Sequence, residues 1–445
     1  MTIKVAIIGA GPAGFYTAEA LTAGTANVEN ANVEIDLIEY LPAPYGLIRA
    51  GVAPDHQTTK KIQKAYAKTA LKPDIRYYGN VKIGRDVTLD ALRRIYDAVV
   101  LAIGAPLDNP ARMPGADKPG VYGAAAFVGW YNGHPDFRNL NPNLDTKAVA
   151  VIGVGNVAID IARVLIKTPE EMATSDLQDY AAASIAKTPI TDVYLFGRRG
   201  AVDAKFTNVE LREMGELENC VPIVDPAQLP DSVTGNYEDR NLRVRTKNLE
   251  TLKSFVGRDP KEKPKRVHFV FQAAPVAILG NDRVEGLRLE RTRVTDGRAI
   301  GTGEFFEIPC GGVISAIGYR SEPIEGAPFD DKRGIVPNKA GRVAEGLYAV
   351  GWIKRGPTGT IATNRPDGKL AAEQIFADCT GTKPGRAAFE ALLSEKGIRA
   401  VSYPEWQKIE AAEEMAATPP APRKKFASVE EMLAVLDDRP ARKKA

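Results

Sequence analysis

Two glycine-rich segments contain the residues whose types and spacing best suit one task, the binding of a dinucleotide. The first, GAGPAG at residues 9–14, follows an apolar run and precedes a helix-prone segment. In such a turn the first glycine permits a tight bend, the second lets the backbone approach a pyrophosphate, and the third lets helix and strand pack closely. A second apolar run, residues 33–38, ends at Glu39, whose carboxylate can accept hydrogen bonds from ribose hydroxyls. This order of features favours a dinucleotide site over a βαβ unit with an incidental glycine turn.

The second segment, GVGNVA at residues 153–158, is the variant of the motif that ends in alanine. Where the first unit has an acid after its second strand, this one has Arg198 and Arg199. Two guanidinium groups suit a 2′-phosphate, which an acid would repel. We therefore predict NADP(H) rather than NAD(H) at this turn, against the alternative of a solvated basic turn.

One acidic and one dibasic turn in the same chain indicate two different dinucleotides. The simplest pair is FAD at the first turn and NADPH at the second. A hydride would then pass from nicotinamide to isoalloxazine, and the protein would mainly position the two rings.

The elements around these turns predict an α/β fold with two Rossmann-like dinucleotide-binding domains, each a parallel sheet in a three-layer arrangement. We predict that the FAD domain is discontinuous, formed by residues 1–106 and 320–445, and that the NADP(H) domain, residues 107–319, is inserted into it. Alternating patterns over 267–273 and 284–295 predict antiparallel strands. A helix is expected to open at Gly359 and run to Phe376.

Composition excludes several classes of function. A net charge of +3 over 445 residues is too small to indicate a nucleic-acid partner. No apolar run approaches the length of a membrane span, and the first apolar run belongs to the first strand rather than to a signal peptide. We therefore predict a cytoplasmic protein without membrane insertion.

The cysteines and histidines give no sign of a redox disulfide or a metal site. Cys220, Cys310 and Cys379 lie far apart without a CxxC pair, which argues against a disulfide reductase and a thiolate-bound iron–sulfur cluster. No group of histidine, cysteine and carboxylate residues has metal-ligand spacing in the sequence, so we predict no metal.

Seven segments of the chain resemble the adrenodoxin reductase family of NADPH-dependent ferredoxin reductases, within the glutathione reductase-like superfamily. They lie at residues 9–16, 45–56, 127–133, 155–160, 197–200, 206–214 and 351–359. The last segment, GWIKRGPTG, is the most specific, because most relatives with two dinucleotide folds have Gly-Asp where this chain has Gly351-Trp352.

The resemblance implies a set of contacts for each dinucleotide. For FAD the implied residues are Gly9, Gly11, Pro12, Ala13, Gly14, Glu39, Gly46, Leu47, Val52, Gly104, Trp352, Gly359, Thr360 and Ile361. For NADP(H) they are Gly155, Asn156, Val157, Arg198, Arg199, Glu210, Trp352 and Gly359. It also places His56, Asp160 and Glu210 near the ring system. Hydride transfer needs orientation rather than an acid or base, so these three are expected in supporting roles.

The resemblance also implies an activity, that of a ferredoxin–NADP⁺ reductase. Two electrons from NADPH would reach FAD and leave singly to a 2Fe–2S or similar ferredoxin, an acidic iron–sulfur protein. Its basic docking face would include Arg212 and, by a looser match, the cluster Arg240, Arg243 and Arg245. Two alternatives stay open at this point: an NADPH-dependent flavin monooxygenase or oxidase acting on a small molecule, and a non-catalytic interaction protein that contains FAD.

Overall fold

The computed structural model describes residues 2–24, 32–235 and 237–437. Its strands are β1 Thr2–Ile8, β2 Asn32–Ile38, β3 Ile75–Tyr78, β4 Ala98–Leu101, β5 Leu107–Asp108, β6 Val121–Gly123, β7 Ala148–Ile152, β8 Asp192–Gly197, β9 Cys220–Val224, β10 Lys265–Phe271, β11 Ala273–Leu279, β12 Gly286–Thr295, β13 Arg298–Pro309, β14 Gly312–Ser315, β15 Tyr319–Arg320, β16 Arg342–Ala344 and β17 Leu347–Ala349.

The α-helices alternate with these strands over much of the chain. They are α1 Pro12–Gly24, α2 Leu47–Ala50, α3 Gln57–Lys60, α4 Gln63–Ala70, α5 Leu89–Ile95, α6 Ala124–Asn132, α7 Asn156–Ile166, α8 Pro169–Met172, α9 Asp179–Ala186, α10 Asn208–Glu213, α11 Asp239–Lys253, α12 Trp352–Arg355, α13 Asn364–Asp378, α14 Arg386–Glu395, α15 Tyr403–Met415 and α16 Val429–Ala434. Short 3-10 turns cover Pro135–Phe137, Ala201–Asp203, Pro226–Gln228 and Ile361–Thr363.

The first sheet has six strands in the order β16-β17-β4-β1-β2-β3. Its central strand β1 is parallel to β2 on one side and to β4 on the other. Both faces of β1 are covered, which explains its almost continuous apolar sequence. Because β16 and β17 follow the second sheet in the sequence, the sheet that supports the first glycine turn is completed only by residues 342–349.

The second sheet also has six strands, in the order β6-β14-β7-β8-β10-β9. All of its pairs are parallel, and β7 and β8 lie side by side at its centre. The chain enters this unit through β5 and leaves it through β15, and these two short strands pair with each other in antiparallel register. The predicted fold class, α/β with one Rossmann-like unit inserted into another, is confirmed.

The prediction of an antiparallel strand over 267–273 is wrong. Residues 265–271 form β10, a parallel strand inside the second sheet, and its alternating burial produced the misleading pattern. The chain then reverses at Gln272, whose φ of 51° is unusual for a residue with a side chain. The antiparallel prediction for 284–295 is confirmed by β12, whose long partner β13 is mostly exposed and was not predicted.

The helix predicted to open at Gly359 begins later than expected. A 3-10 turn covers Ile361–Thr363, and α13 starts at Asn364 and ends at Asp378. The backbone at Gly359 and Thr360 is therefore an exposed loop rather than a helical turn.

A buried ionic cluster joins the two units and the C-terminal segment. Lys60 Nζ lies 2.6 Å from Asp176 Oδ1, and Lys425 Nζ lies 3.3 Å from the other carboxylate oxygen. All three side chains are at most 5% exposed. Since a buried charge without a partner is costly, this cluster favours one relative position of the elements that carry these residues.

Among the described helices, none combines the length and the apolar character needed to cross a lipid bilayer.

Candidate active site at two glycine turns

The first turn has the backbone geometry that the glycine spacing predicts. Gly9 has a φ of +108°, and a methyl group there would lie 2.6 Å from the carbonyl oxygen of Ala102. A methyl group on Gly14 would lie 2.0 Å from the carbonyl oxygen of Gly9. Only glycine fits at these two positions, because one permits the bend and the other permits close packing of α1 against β1.

Gly46, in the loop between β2 and α2, faces the middle of the first turn. A methyl group on Gly11 would have only the Cα of Gly46 near it, at 3.9 Å. The loop is held in place by the backbone N–H of Tyr45, which donates to the carbonyl of Ala10 at 2.7 Å. The space at the N-terminus of α1 is thus bordered by bare backbone, and a pyrophosphate fits such a cradle because free N–H groups and the helix dipole favour an anion.

Glu39 is fixed beside the first turn. Its side chain is buried and accepts hydrogen bonds from the N–H of Ala10 and of Tyr40, both at 2.9 Å. Burial raises the pKa of Glu39 to about 7, although the backbone hydrogen bonds oppose this shift. A carboxylate oxygen has more than one acceptor site, so Glu39 can still accept hydrogen bonds from ribose hydroxyls.

The segment that follows Gly351 packs against the first turn of α1. A methyl group on Gly351 would lie 2.6 Å from Cβ of Ala13. The indole N–H of Trp352 donates to the carbonyl of Thr358 at 3.0 Å, and this bond orients the ring. Trp352 is only half-buried, so it is not an ordinary core aromatic.

The second turn resembles the first at its first glycine and is more open at its second glycine. Gly153 has a φ of +144°, and a methyl group there would lie 2.5 Å from the carbonyl oxygen of Ala316. A methyl group on Gly155 would have no protein atom within 4 Å. Gly155 therefore borders open space at the start of α7. Beside it, Asn156 Oδ1 accepts a hydrogen bond from the N–H of Thr207 at 2.7 Å.

The predicted phosphate-binding arginines lie at the end of β8, near this open turn. Arg198 is exposed, and its carbonyl accepts a hydrogen bond from the hydroxyl of Thr292 at 2.7 Å. The side chain of Arg199 is 33% exposed, and its Nη1 lies 3.9 Å from Asp203 Oδ1. Both guanidinium groups are accessible to an anion.

An ionic cluster is centred on Arg163 of α7, the helix that begins at the second turn. Its side chain is 0% exposed. Nε and Nη2 hold the two oxygens of Asp55 at 2.7 and 3.0 Å, and Nη2 also lies 2.9 Å from Asp160 Oδ1. Nη1 lies 3.3 Å from one oxygen of Glu210 and 3.3 Å from one oxygen of Glu213. One cation therefore organises four carboxylates from three parts of the chain.

His56 completes this cluster, which we call the Arg163 cluster. Its Nε2 lies 3.1 Å from Glu213 Oε2 and 3.3 Å from Glu210 Oε2. Burial alone lowers the pKa of His56, but the hydrogen bond with Glu213 and the charges of Asp160 and Glu210 outweigh it, so the pKa lies above its ordinary value.

The carboxylates of the Arg163 cluster titrate differently from one another. Burial, reinforced by the charge of Asp160, raises the pKa of Glu210 to about 7 against the opposing effects of His56 and Arg163. Burial also raises the pKa of Asp160. For Glu213 the effect of burial is outweighed by the hydrogen bond with His56 and the charge of Arg163, so its pKa is lowered. The site thus contains both a firmly ionised carboxylate and one that changes charge near neutral pH.

The structure brings the three predicted supporting residues together: His56, Asp160 and Glu210 all belong to the Arg163 cluster. Sequence reasoning missed Asp55, Arg163 and Glu213, and also Lys167, whose Nζ lies 2.9 Å from Asp55 Oδ2. The available signals were the spacing of three residues between Asp160 and Arg163 and between Glu210 and Glu213, which places each pair on one helix face.

Ligand atoms of His56, Glu210 and Glu213 lie within 4.8 Å of one another, a grouping that sequence spacing did not reveal. The guanidinium of Arg163 already supplies a cation to both carboxylates. We therefore assign these groups to the ionic cluster and not to a metal.

The chain is similar in sequence and in structure to known NADPH-dependent reductases. A family model described as pyridine nucleotide-disulphide oxidoreductase matches residues 3–194. NADPH-ferredoxin reductase FprA of Mycobacterium tuberculosis is 38% identical over 449 residues, covering 97% of this chain and 98% of that protein. Human mitochondrial NADPH:adrenodoxin oxidoreductase is 38% identical over 465 residues, covering 98% of this chain and 92% of that protein. The solved structure of M. tuberculosis FprA in complex with NADPH superposes with a TM-score of 0.93 and covers 98% of this chain and 99% of its own.

The two glycines of the second turn predict opposite outcomes for the same substitution. Gly155→Ala should leave the unfolding midpoint nearly unchanged, because the added methyl meets no protein atom within 4 Å. It should raise the KM for NADPH about tenfold or more, because it occupies space needed by a pyrophosphate. The measurement is the KM for NADPH beside a thermal melt of the FAD-loaded protein.

Gly153→Ala is the matched control. It should lower the unfolding midpoint, because its methyl would lie 2.5 Å from a carbonyl oxygen at a φ of +144°. If Gly155→Ala binds NADPH as well as the unchanged protein, the second turn is not a pyrophosphate site.

Proposed function

The chain belongs to the family of NADPH-dependent ferredoxin and adrenodoxin reductases, and from this premise we propose that it passes electrons from NADPH through FAD to a ferredoxin. The observation that carries the proposal is the presence of two open glycine cradles, one beside an acid and one beside two arginines. Two cradles of different charge suit two different dinucleotides.

FAD, when bound, would accept electrons in a pair and release them singly. The first turn would hold its pyrophosphate, and Glu39 would hold its ribose. Trp352 and the exposed loop at Gly359 and Thr360 would lie beside its ring system. The remaining proposed contacts are Gly46, Leu47, Val52, Gly104 and Ile361.

NADPH would lie along the second turn. Gly155, Asn156 and Val157 begin α7 or precede it by one position, where N–H groups are free to face a pyrophosphate. Arg198 and Arg199 would bind the 2′-phosphate, because planar guanidinium groups match phosphate geometry.

The Arg163 cluster would fix the position of the groups beside the two rings. His56 Nε2, between Glu210 and Glu213, can hold a proton there, and Asp160 is kept in place by Arg163. These residues need not take part in hydride transfer itself. Their proposed task is to keep the local charge and geometry constant while the rings are aligned.

We also propose the domain boundaries and the compartment. The FAD domain would comprise 1–106 and 320–445, with 107–319 as the NADP(H) domain; the pairing of β5 with β15 supports this division. The three cysteines are unpaired in the structure, which suits the reducing conditions of a cytoplasmic location.

The other activities are less favoured. Full-length similarity to two NADPH-dependent reductases does not favour a flavin monooxygenase, an oxidase or a non-catalytic FAD-containing protein. Rapid consumption of oxygen with a bound organic substrate would be the observation in favour of an oxygenase.

The proposed activity is tested by anaerobic stopped-flow mixing of the FAD-loaded protein with NADPH and, separately, with NADH. We expect the visible flavin absorbance to bleach quickly with NADPH and much more slowly with NADH. An oxidised 2Fe–2S ferredoxin added afterwards should restore the colour. If NADH bleaches the flavin equally well, the 2′-phosphate assignment fails. If ferredoxin has no effect while air restores the colour quickly, the ferredoxin assignment fails.

For the acceptor we propose a basic docking face around α10 and α11. Arg212 is exposed on α10, and Arg240 and Arg243 are exposed on the first half of α11. A groove of about 430 Å³ between these helices is lined by basic Arg212, Lys247 and Arg258 as well as acidic Glu216 and Glu250. Complementary charge on an acidic ferredoxin would mainly raise the rate of encounter.

Arg212→Glu tests this face. It should lower kcat/KM for an acidic ferredoxin about tenfold at low ionic strength, and the loss should shrink as salt is added. Flavin reduction by NADPH should change much less. Arg298→Glu, the same charge change on exposed β13, is the control. Equal losses in the two variants would contradict a docking face at Arg212.

A further inference from the structure

Arg245 differs from its basic neighbours on α11. Arg240 and Arg243 are exposed, whereas the side chain of Arg245 is only 27% exposed. Its Nη1 donates to the carbonyl of Val202, and its guanidinium lies 4.3 Å from the ring centroid of Tyr237. Arg245 is therefore held against the segment that follows the two predicted phosphate-binding arginines, away from the surface to which its sequence neighbours belong.

The group that connects Arg245 to this segment is Asp203. Arg245 Nη1 lies 3.5 Å from Asp203 Oδ1, and the same oxygen lies 3.9 Å from Nη1 of Arg199. One carboxylate thus lies between two guanidinium groups, one from the dibasic turn and one from α11. Its side chain is 15% exposed, so its charge is weakly screened by water.

An acid at this place works against a phosphate site. Asp203 repels an anion and partly neutralises Arg199, which leaves Arg198, Arg199 and Asp203 with a combined charge of two positives and one negative. A phosphate monoester carries close to two negative charges at neutral pH. Arg245 adds a positive charge on the other side of Asp203 and restores the excess of positive charge that a 2′-phosphate requires.

The geometry of Arg245 leaves it able to bind an anion itself. Among the described residues, its hydrogen bonds are made by Nη1 alone, to Val202 and Asp203. Its other N–H groups stay available for a bidentate phosphate contact. Stacking on Tyr237 limits the rotamers of the long side chain, which lowers the entropy lost on binding.

We propose that Arg245 is a third arginine of the 2′-phosphate site, that Asp203 tethers it there, and that it contributes to the preference for NADPH over NADH. The inference rests on the proposed function, since it takes NADPH as the electron donor. Arg245 would therefore help to select the nucleotide, although its position in the sequence grouped it with Arg240 and Arg243 on the acceptor face.

The direct test is a calorimetric titration of the FAD-loaded protein with adenosine 2′,5′-bisphosphate and with 5′-AMP, which lacks the 2′-phosphate. Arg245→Gln should weaken binding of the bisphosphate about tenfold, the loss expected for one charge-assisted hydrogen bond. It should leave binding of 5′-AMP unchanged. Arg283→Gln, an equal charge change at an exposed turn, should alter neither.

Two further variants separate phosphate binding from a structural role. Arg245→Lys keeps the charge and should recover part of the affinity for the bisphosphate. Asp203→Asn keeps an oxygen that can accept the hydrogen bond of Arg245 but removes the opposing charge, so it should tighten bisphosphate binding. In steady state, Arg245→Gln should raise the KM for NADPH without a matching change in kcat or in the KM for NADH.

The inference is overturned if Arg245→Gln binds the bisphosphate as tightly as Arg283→Gln, or if it loses the same factor for both nucleotides. These outcomes differ from a failure of the proposed function. If the unchanged protein does not prefer the bisphosphate over 5′-AMP, the assignment of NADPH itself fails and this inference with it.

Discussion

The rest of this structure depends on the ion pairs that the buried guanidinium of Arg163 makes with carboxylates. An ion removed from water is tolerated only when partners of opposite charge surround it, and loss of one such partner typically costs several kcal/mol. Here those partners come from separate parts of the chain: Asp55 from the loop between α2 and α3, Asp160 from α7, and Glu210 and Glu213 from α10. The cluster can form only when the two Rossmann-like units meet in one particular way.

This constraint explains why groups that differ in their preferred charge state lie side by side in the Arg163 cluster. Four carboxylates and one imidazole lie close together, some buried and some half-buried, and their pKa values differ as a result. Glu213 is stabilised in its charged form by His56 and Arg163, while Glu210, more affected by burial, has a pKa of about 7. A site arranged in this way offers fixed negative charge and a nearby proton, which suits chemistry in which two rings are aligned and electrons move between them.

The parts of the molecule that were predictable from sequence are those set by local physics. The glycine turns, the acid after the first unit and the two arginines after the second follow from backbone sterics and charge within one βαβ unit, and both turns have the expected geometry. The strand β10 was misjudged because burial on alternate residues also occurs in a parallel strand that has one face only partly covered.

The Arg163 cluster could not be predicted in the same way. Asp55 and Arg163 are 108 positions apart, and no local pattern specifies that they meet. The same is true of Arg245, which shares a helix with exposed arginines but contacts Asp203 of another element. The roles of such side chains depend on tertiary contacts between distant parts of the chain. A resemblance in sequence identifies only the positions that a family's motifs contain.

The most direct test of this account is the rate constant for flavin reduction at saturating NADPH in an FAD-loaded Arg163→Lys variant. Lysine keeps the charge but cannot hold Asp55, Asp160 and the two glutamates at once, so the rings should be less well aligned. We expect the rate constant to fall at least about tenfold. Arg266→Lys, which alters a paired contact with Asp192 on β8, should leave it unchanged. A fully loaded Arg163→Lys protein that is reduced as fast as the unchanged protein would contradict the account.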